Sequence, residues 1–198
     1  MNNNSLDTYE REIKKLAFVR IGVTGHRKLE NVRLLQESVQ KVLFLIDDIL
    51  KENLKNTPYG FHIISPLAEG ADRLVVKEVM EWHASDSLDK PSLSVVLPLP
   101  KDDYIRDFES AAAKDEFEAL LCRALSICTL GKATSRDAAY ENVGHYVVDN
   151  CDFLIAIWNG KPSSGQGGTG DIVEYARKVG RYILWINSDD GSLQEENR

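Results

Sequence analysis

Short apolar runs and longer amphipathic segments alternate along this chain from about residue 16 to about residue 187. The apolar runs have the length of buried strands and are bounded by turn residues, at 18–23, 61–65, 93–97, 153–158 and 182–186. Apolar residues recur at helical spacing at 31–54, 71–82, 103–128, 138–149 and from 171 to a stop at Gly180. This order predicts an α/β fold with an open, mainly parallel sheet and helices on both faces.

Length and charge limit what such a fold can do. The 198 residues suffice for one domain, which we predict at 16–187. We expect a polar N-terminal extension at 1–15, with a short helix at 6–15, and a polar, acidic tail or linker at 188–198. The net charge of −7 disfavours binding to nucleic acid, which needs a basic surface. A local pocket for a small anion remains compatible with that charge.

No apolar run is long enough to cross a bilayer, and the first residues lack the apolar core of a signal peptide. We therefore expect a cytoplasmic protein that makes no membrane contact itself. Cys122, Cys128 and Cys151 lack the spacing of metal ligands and are expected to be buried thiols in a reducing compartment. No metal site is predicted.

The glycine-rich segment 165–171 lies between an apolar strand and a helix. A strand, a glycine-rich loop and a helix in this order present backbone N–H groups at a positive helix end, where an anion binds. We therefore predict that Gly167, Gly168 and Thr169 cradle a phosphate, with Asp171 beside them. Thr169 and Asp171 have an alternative role as capping residues of the helix.

A second loop, at 22–27, follows the first apolar run. It lacks the three spaced glycines of a dinucleotide-binding fingerprint. Gly22, Thr24 and Gly25 are predicted to lie against a phosphate, to which Arg27 contributes a forked charge and His26 a donor when charged. The alternative is a tight turn whose basic residues face solvent.

The segment 65–73 also follows a strand, and Gly70 allows a tight turn into the next helix. Asp72 is favoured in a first helical turn by the helix dipole alone. That explanation does not account for Glu69, so both acids are predicted to accept hydrogen bonds from ribose hydroxyls. Arg73 either belongs to the predicted site or serves as a structural counter-ion for Glu69.

Two aromatic residues complete the predicted site. Tyr104 follows the rigid exit of the third strand, where it either stacks on a base or is a half-buried core tyrosine. Trp158 ends the strand that precedes the glycine-rich loop.

These motifs resemble those of the SLOG superfamily, which is named for the DprA and LOG proteins. The resemblance rests on 21–27, 67–73, the Cys151-Asp152 pair with its strand and 167–171, in that order. It implies a Rossmann-like fold that binds nucleotides or nucleotide-derived molecules. Many bacterial members are thought to be sensors, joined to or encoded beside membrane or NAD-cleaving effectors in defence systems. Related domains occur in some eukaryotic TRP channels and in anti-phage Thoeris effectors that sense cyclic ADP-ribose isomers.

The enzymes of this superfamily are LOG phosphoribohydrolases, which split nucleoside monophosphates into a base and ribose phosphate. Their Pro-Gly-Gly-x-Gly-Thr-x-x-Glu signature is incomplete here. With Gly168-Thr169 aligned to its last Gly-Thr, Ile172 stands in place of the glutamate and Ser164 in place of the proline. The Arg-Lys pair typical of the enzymes' preceding helix is not evident at 140–149. Losing the acid removes stabilisation of the oxocarbenium ion but leaves phosphate binding.

The resemblance therefore favours a sensor or binding module for a nucleotide-derived or NAD- or ADP-ribose-derived signal. It needs no cofactor beyond this ligand, and we expect a homo-oligomer that regulates an effector protein or a fused effector domain. The alternative is a hydrolase of the N-glycosidic bond, for which no catalytic residue is firm and Glu69, Asp171 or Glu174 would supply the acid. A third possibility is a scaffold with a vestigial pocket.

Overall fold

The computed structural model describes residues 17–54, 57–82, 90–131, 133–163 and 165–196. The strands are β1 (Ala17–Gly25), β2 (Tyr59–Ser65), β3 (Ser92–Leu97), β4 (Ser126–Thr129), β5 (Phe153–Trp158), β6 (Tyr182–Asn187) and β7 (Leu193–Glu196). The helices are α1 (Val32–Leu54), α2 (Ala71–Met80), α3 (Lys101–Tyr104), α4 (Ala111–Leu121), α5 (Arg136–Asn150) and α6 (Thr169–Lys178), and a 3₁₀ turn at Ile105–Asp107 follows α3. The predicted extension at 1–15 and its helix lie outside the described residues.

The seven strands form one sheet in the order β4-β3-β2-β1-β5-β6-β7. All neighbours are parallel except β6 and β7. On one side of β1, strands β2, β3 and β4 follow in order towards one edge of the sheet. On its other side, β5, β6 and β7 follow in order towards the other edge. The order therefore reverses between β1 and β5, and the predicted open, mainly parallel α/β sheet is confirmed.

Successive residues of β5 point to opposite faces of the sheet, as the pleat requires. Ile155 and Ile157 belong to a hydrophobic cluster with residues of α1, α2 and α4. Leu154 and Ala156 belong to a second cluster, with residues of α5 and α6. The helices thus cover both faces, and β5 is buried along its whole length.

Helix α6 ends close to Gly180, where the sequence predicted a helix stop. Gly180 has a φ of 71°, a conformation that glycine adopts without the steric penalty of a Cβ. The Arg181 N–H reaches back to the Ala176 carbonyl at 2.9 Å, which satisfies a carbonyl of the last turn.

Two strands were not predicted. Strand β4 overlaps the end of 103–128, which the apolar spacing predicted to be mostly helical. It is a four-residue edge strand whose residues are all exposed, so it has no buried alternation. Strand β7 lies in the predicted polar tail at 188–198. It is stabilised by polar pairs, such as the Tyr182 hydroxyl that donates to Glu195 at 2.7 Å, rather than by apolar burial.

The cysteines differ from the prediction. Cys151 is buried against α5, whereas Cys122 and Cys128 are exposed because they lie just after α4 and on the edge strand β4. The prediction of three buried thiols is therefore wrong for two of them. Among the described residues, no helix combines the length and apolar character that crossing a membrane requires.

Gly22 lets α5 approach the middle of β1. A Cβ at this position would lie 2.8 Å from both Cys151 Sγ and Val147 Cγ1. We expect Gly22→Ala to lower the free energy of unfolding by about 1–3 kcal/mol, because over-packing forces the helix or its side chains to move. Urea unfolding measures the loss. The control is Gly131→Ala, where a Cβ meets nothing within 4 Å; equal losses in the two variants would contradict this explanation.

Candidate functional site

A cavity of about 870 Å³ opens at the carboxyl ends of β1 and β5. These are the neighbouring strands at which the sheet order reverses, and open parallel sheets bind ligands at such a point. The volume lies within the range of small-molecule sites, about 300–1,000 Å³. Its walls come from the loops after β1, β2 and β5, the turn after α3, and the first turns of α5 and α6.

The loop after β1 forms one side of the cavity. The His26 N–H donates to the Ile157 carbonyl at 3.0 Å, and the His26 carbonyl accepts from the Ala71 N–H at 3.0 Å. His26 Nε2 accepts from the Asn159 N–H at 3.3 Å. This ring nitrogen thus accepts a hydrogen bond within the protein, and donation from a charged His26 to a phosphate stays a prediction. The loop is anchored to both β5 and α2.

The glycine-rich loop and the start of α6 form the opposite side. Gly168 precedes the helix and offers no capping side chain. The N–H groups of Thr169 and Gly170 have no acceptor among the described residues. Asp171 shapes the loop: its carboxylate accepts from the Gly167 N–H at 3.1 Å, and its own N–H donates to Ser163 Oγ at 3.0 Å. These contacts match the alternative, structural role of Asp171.

Asp72 lies in the wall of the cavity, in the first turn of α2, and is only 4 % exposed. Its Oδ2 accepts from the Ala68 N–H at 3.1 Å and from the Ser65 hydroxyl at 3.4 Å. Burial raises the pKa of this carboxyl to about 7, although the hydrogen bonds and nearby arginines favour the charged form.

Tyr104 also lines the cavity, but its ring is fully buried. The ring centroids of Phe108 and Phe117 lie 5.1 and 5.8 Å away, and that of Tyr140 lies 6.0 Å away. The ring is therefore a core element with no open face for stacking on a base. This agrees with the alternative of a core tyrosine, except that the ring is fully buried where a half-buried ring was predicted.

Some charged side chains around the cavity form ion pairs, and others do not. Arg136 is held by Asp107 at 2.8 Å and by Asp103 at 3.3 Å. Arg27 lies over the ring of Tyr140 at 4.8 Å, and no carboxylate among the described residues forms an ion pair with it. Lys161 likewise forms no ion pair with a carboxylate within the described ranges. Arg27 and Lys161 thus bring to the cavity positive charge that no carboxylate of the described residues neutralises in an ion pair.

The predicted site residues fall into two groups. Those that line the cavity are Thr24, Gly25, His26, Arg27, Asp72, Tyr104, Trp158, Gly167, Gly168 and Thr169. Those that do not are Gly22, Glu69, Gly70, Arg73 and Asp171. The fold therefore brings the three predicted loops together, but several of their residues face other parts of the protein.

The residues of the second group have visible structural contacts. A Cβ at Gly70 would collide with the carbonyl oxygens of His26 and Arg27. Glu69 accepts from the Glu109 N–H at 3.1 Å. Arg73 is 2 % exposed; it donates to the Leu67 carbonyl at 3.0 Å and pairs with Glu116. Arg73 is thus a counter-ion, as the alternative had it, but not for Glu69.

The acids considered for catalysis do not line the cavity. Glu69 and Asp171 have the contacts already given, and Glu174 is an exposed residue that pairs with Arg177. The acids that do line it are Asp72, Asp107 and Asp137. Among the described residues, no group of three or more His, Cys, Asp or Glu is arranged to hold a metal ion.

Sequence reasoning missed a group of cavity residues near the start of α5. Asp107, Arg136, Asp137 and Tyr140 line the cavity, and the Tyr140 hydroxyl donates to Asp107. A local signal existed, since Ser135 caps α5 by accepting from the Ala138 N–H at 3.1 Å. The start of α5 was predicted two residues late, and the strand before it was not recognised.

A scan against models of protein families matches none, and a search of curated proteins finds no match. Similarity to a known protein therefore assigns no role to the residues that line the cavity.

The buried carboxyl of Asp72 makes a prediction about stability and pH. The folded protein holds this proton up to about pH 7, whereas the unfolded chain releases it near the ordinary value of 3.8. Stability therefore falls as pH rises through this window, by at most about 1.4 kcal/mol per pH unit from this group. Asp72→Asn should flatten the decline in urea unfolding between pH 4 and 7; parallel profiles for the two proteins would contradict the assignment.

Proposed function

We propose that this chain is a binding module for a nucleotide-derived small molecule, held in the cavity between β1 and β5. The observation that carries the proposal is that one cavity is lined by Thr169 and Gly170, whose N–H groups have no acceptor among the described residues, and by Arg27 and Lys161, which form no ion pair there. The N-terminus of a helix and a forked guanidinium are both strong partners for a phosphate. The net charge of −7 does not oppose this, since the cations are local.

The ligand is larger than an inorganic anion. A cavity of about 870 Å³ exceeds what a phosphate alone fills, and its lining residues include the aromatic residues Tyr140 and Trp158. The carboxyl of Asp72 lies in the same cavity and repels a second phosphate when it is charged. A molecule with a phosphate at one end and an uncharged polar part at the other fits both conditions. Nucleotides and ADP-ribose derivatives have this form.

The sensor role extends this proposal through the resemblance to the SLOG superfamily. In that role the bound molecule is a signal, and the chain forms a homo-oligomer that regulates an effector protein or a fused effector domain. A ligand that binds one oligomeric form more tightly shifts the population towards it. Light scattering with and without AMP, ADP-ribose or NAD measures such a shift.

A hydrolase of the N-glycosidic bond is the second candidate, and Asp72 is the observation in its favour. A carboxyl with a pKa of about 7 in a ligand cavity is suited to proton transfer near neutral pH. The acids first considered for this role lie outside the cavity wall, so Asp72 is the acid to test. Its buried position equally suits a residue that binds without reacting.

Mass spectrometry separates the two candidates. The purified protein is incubated with a pool containing AMP, ADP-ribose and NAD, and the medium is analysed for products. The protein is then washed and denatured by heat, and the molecules that it releases are identified. An intact nucleotide in stoichiometric amount supports the binding module. Free base together with ribose phosphate or ADP-ribose supports the hydrolase. Release of no nucleotide and no base, with no saturable binding in titrations, would overturn both and favour a scaffold.

Arg27→Ala tests the phosphate site. We expect it to weaken binding of whichever of AMP, ADP-ribose or NAD the wild type binds by about 1–3 kcal/mol, which is about 5- to 150-fold. The substitution also removes the cation–π contact with Tyr140, so we expect the free energy of unfolding to fall by about 0.5–1 kcal/mol while the fold is kept. Titration calorimetry measures the affinity. The control is Arg33→Ala, an exposed arginine on α1 outside the cavity; unchanged affinity in Arg27→Ala would remove Arg27 from the site.

A further inference from the structure

One wall residue of the cavity has a polar atom that the protein leaves unused. Four buried side-chain nitrogen or oxygen atoms in the described part of the chain lack a hydrogen-bond partner: Arg73 Nη2, Trp82 Nε1, Tyr104 Oη and Arg181 Nε. Of their residues, only Tyr104 lines the cavity. Leaving a buried hydroxyl unsatisfied destabilises a folded protein, so natural structures rarely do so without a reason.

The hydroxyl of Tyr104 is held in place by its surroundings. The ring is fully buried between aromatic neighbours, with Phe108 5.1 Å and Phe117 5.8 Å away between centroids. Burial, followed by the charge of Asp72, raises the pKa of Tyr104 well above its usual value. The phenol therefore keeps its proton at neutral pH and is a fixed donor as well as an acceptor.

Asp72 has an unused polar atom in the same cavity. Its Oδ2 accepts from Ala68 and Ser65, but its Oδ1 makes no hydrogen bond within the described residues. Both residues line the same cavity, and the charge of Asp72 is one cause of the raised pKa of Tyr104. One cavity thus has a carboxyl oxygen and a phenol in its lining residues that both lack a hydrogen-bond partner within the described part of the chain.

We propose that Tyr104 and Asp72 together bind a hydroxyl group of the ligand's ribose, and that Tyr104 thereby selects ribose over deoxyribose. A hydroxyl group both donates and accepts, so it donates to the Asp72 carboxyl and accepts from the Tyr104 phenol. The inference rests on the proposed function, because it assumes a nucleotide with its phosphate at α6. It assigns Tyr104 a polar role in place of the stacking role predicted from the sequence.

A comparison of ribose and deoxyribose ligands tests the inference. Affinities for AMP and ADP-ribose, and for their 2′- and 3′-deoxy forms, are measured by calorimetry for the wild type and for Tyr104→Phe. We expect the wild type to prefer the ribose form over at least one deoxy form by about 5- to 10-fold, the effect of one hydrogen bond. Tyr104→Phe should lose that preference. The control Tyr182→Phe removes a hydroxyl that is bonded to Glu195 outside the cavity and should retain it.

Thermal unfolding without any nucleotide gives a second readout. Tyr104→Phe keeps the ring and removes only the unsatisfied hydroxyl, so we expect the melting temperature to rise by about 2–4 °C. A fall would mean that the hydroxyl has a structural partner, and would overturn the inference. An unchanged ribose preference in Tyr104→Phe would overturn it while leaving the proposed function in place. Absence of binding of every nucleotide to the wild type would overturn the proposed function, and the inference with it.

Discussion

The cavity depends on the reversal of strand order beside β1. Strand β1 pairs with β2 on one side and with β5 on the other, and the chain leads away from these two neighbours in opposite directions. The loops after β1 and β5 therefore separate at the carboxyl edge instead of following one another across the sheet. The space between them is what α5, α6 and the turn after α3 enclose. In a sheet whose order did not reverse, the connections between neighbouring strands would follow one another across this edge and leave no such space.

Short-range contacts hold the separated loops in place without any ligand. Gly70 has no side chain at the point where the His26 and Arg27 carbonyls pass over the start of α2, and the Ala71 N–H bonds to the first of them. Across the cavity, Ser163 accepts from the Asp171 N–H. The residues that make these contacts thus determine where Arg27 and Thr169 lie. Preorganisation of this kind reduces the loss of conformational freedom on binding.

The sequence predicted the parts of the fold that have strong burial patterns. Strands such as β5, buried throughout, and helix α1, with its apolar stripe, were located to within a few residues. The failure at β4 had a consequence for the site. Had 126–129 been recognised as a parallel strand, the helix after it would have been predicted to begin at the carboxyl edge, beside the cavity. Arg136 and Tyr140 would then have been candidates. A four-residue exposed edge strand has no periodicity from which to make that prediction.

Gly22 and Arg73 show why motif position alone does not identify a binding residue. Both stand in motifs that reach the carboxyl edge, yet Gly22 faces α5 and Arg73 is enclosed with Glu116 and the Leu67 carbonyl. Their identities are explained by packing and by charge pairing. Asp72 and Tyr104 differ, since burial of a carboxyl, and of a phenol that has no partner among the described residues, lowers stability. Proteins depart from local rules of this kind chiefly at functional sites, and both residues line the cavity at the reversal of the sheet.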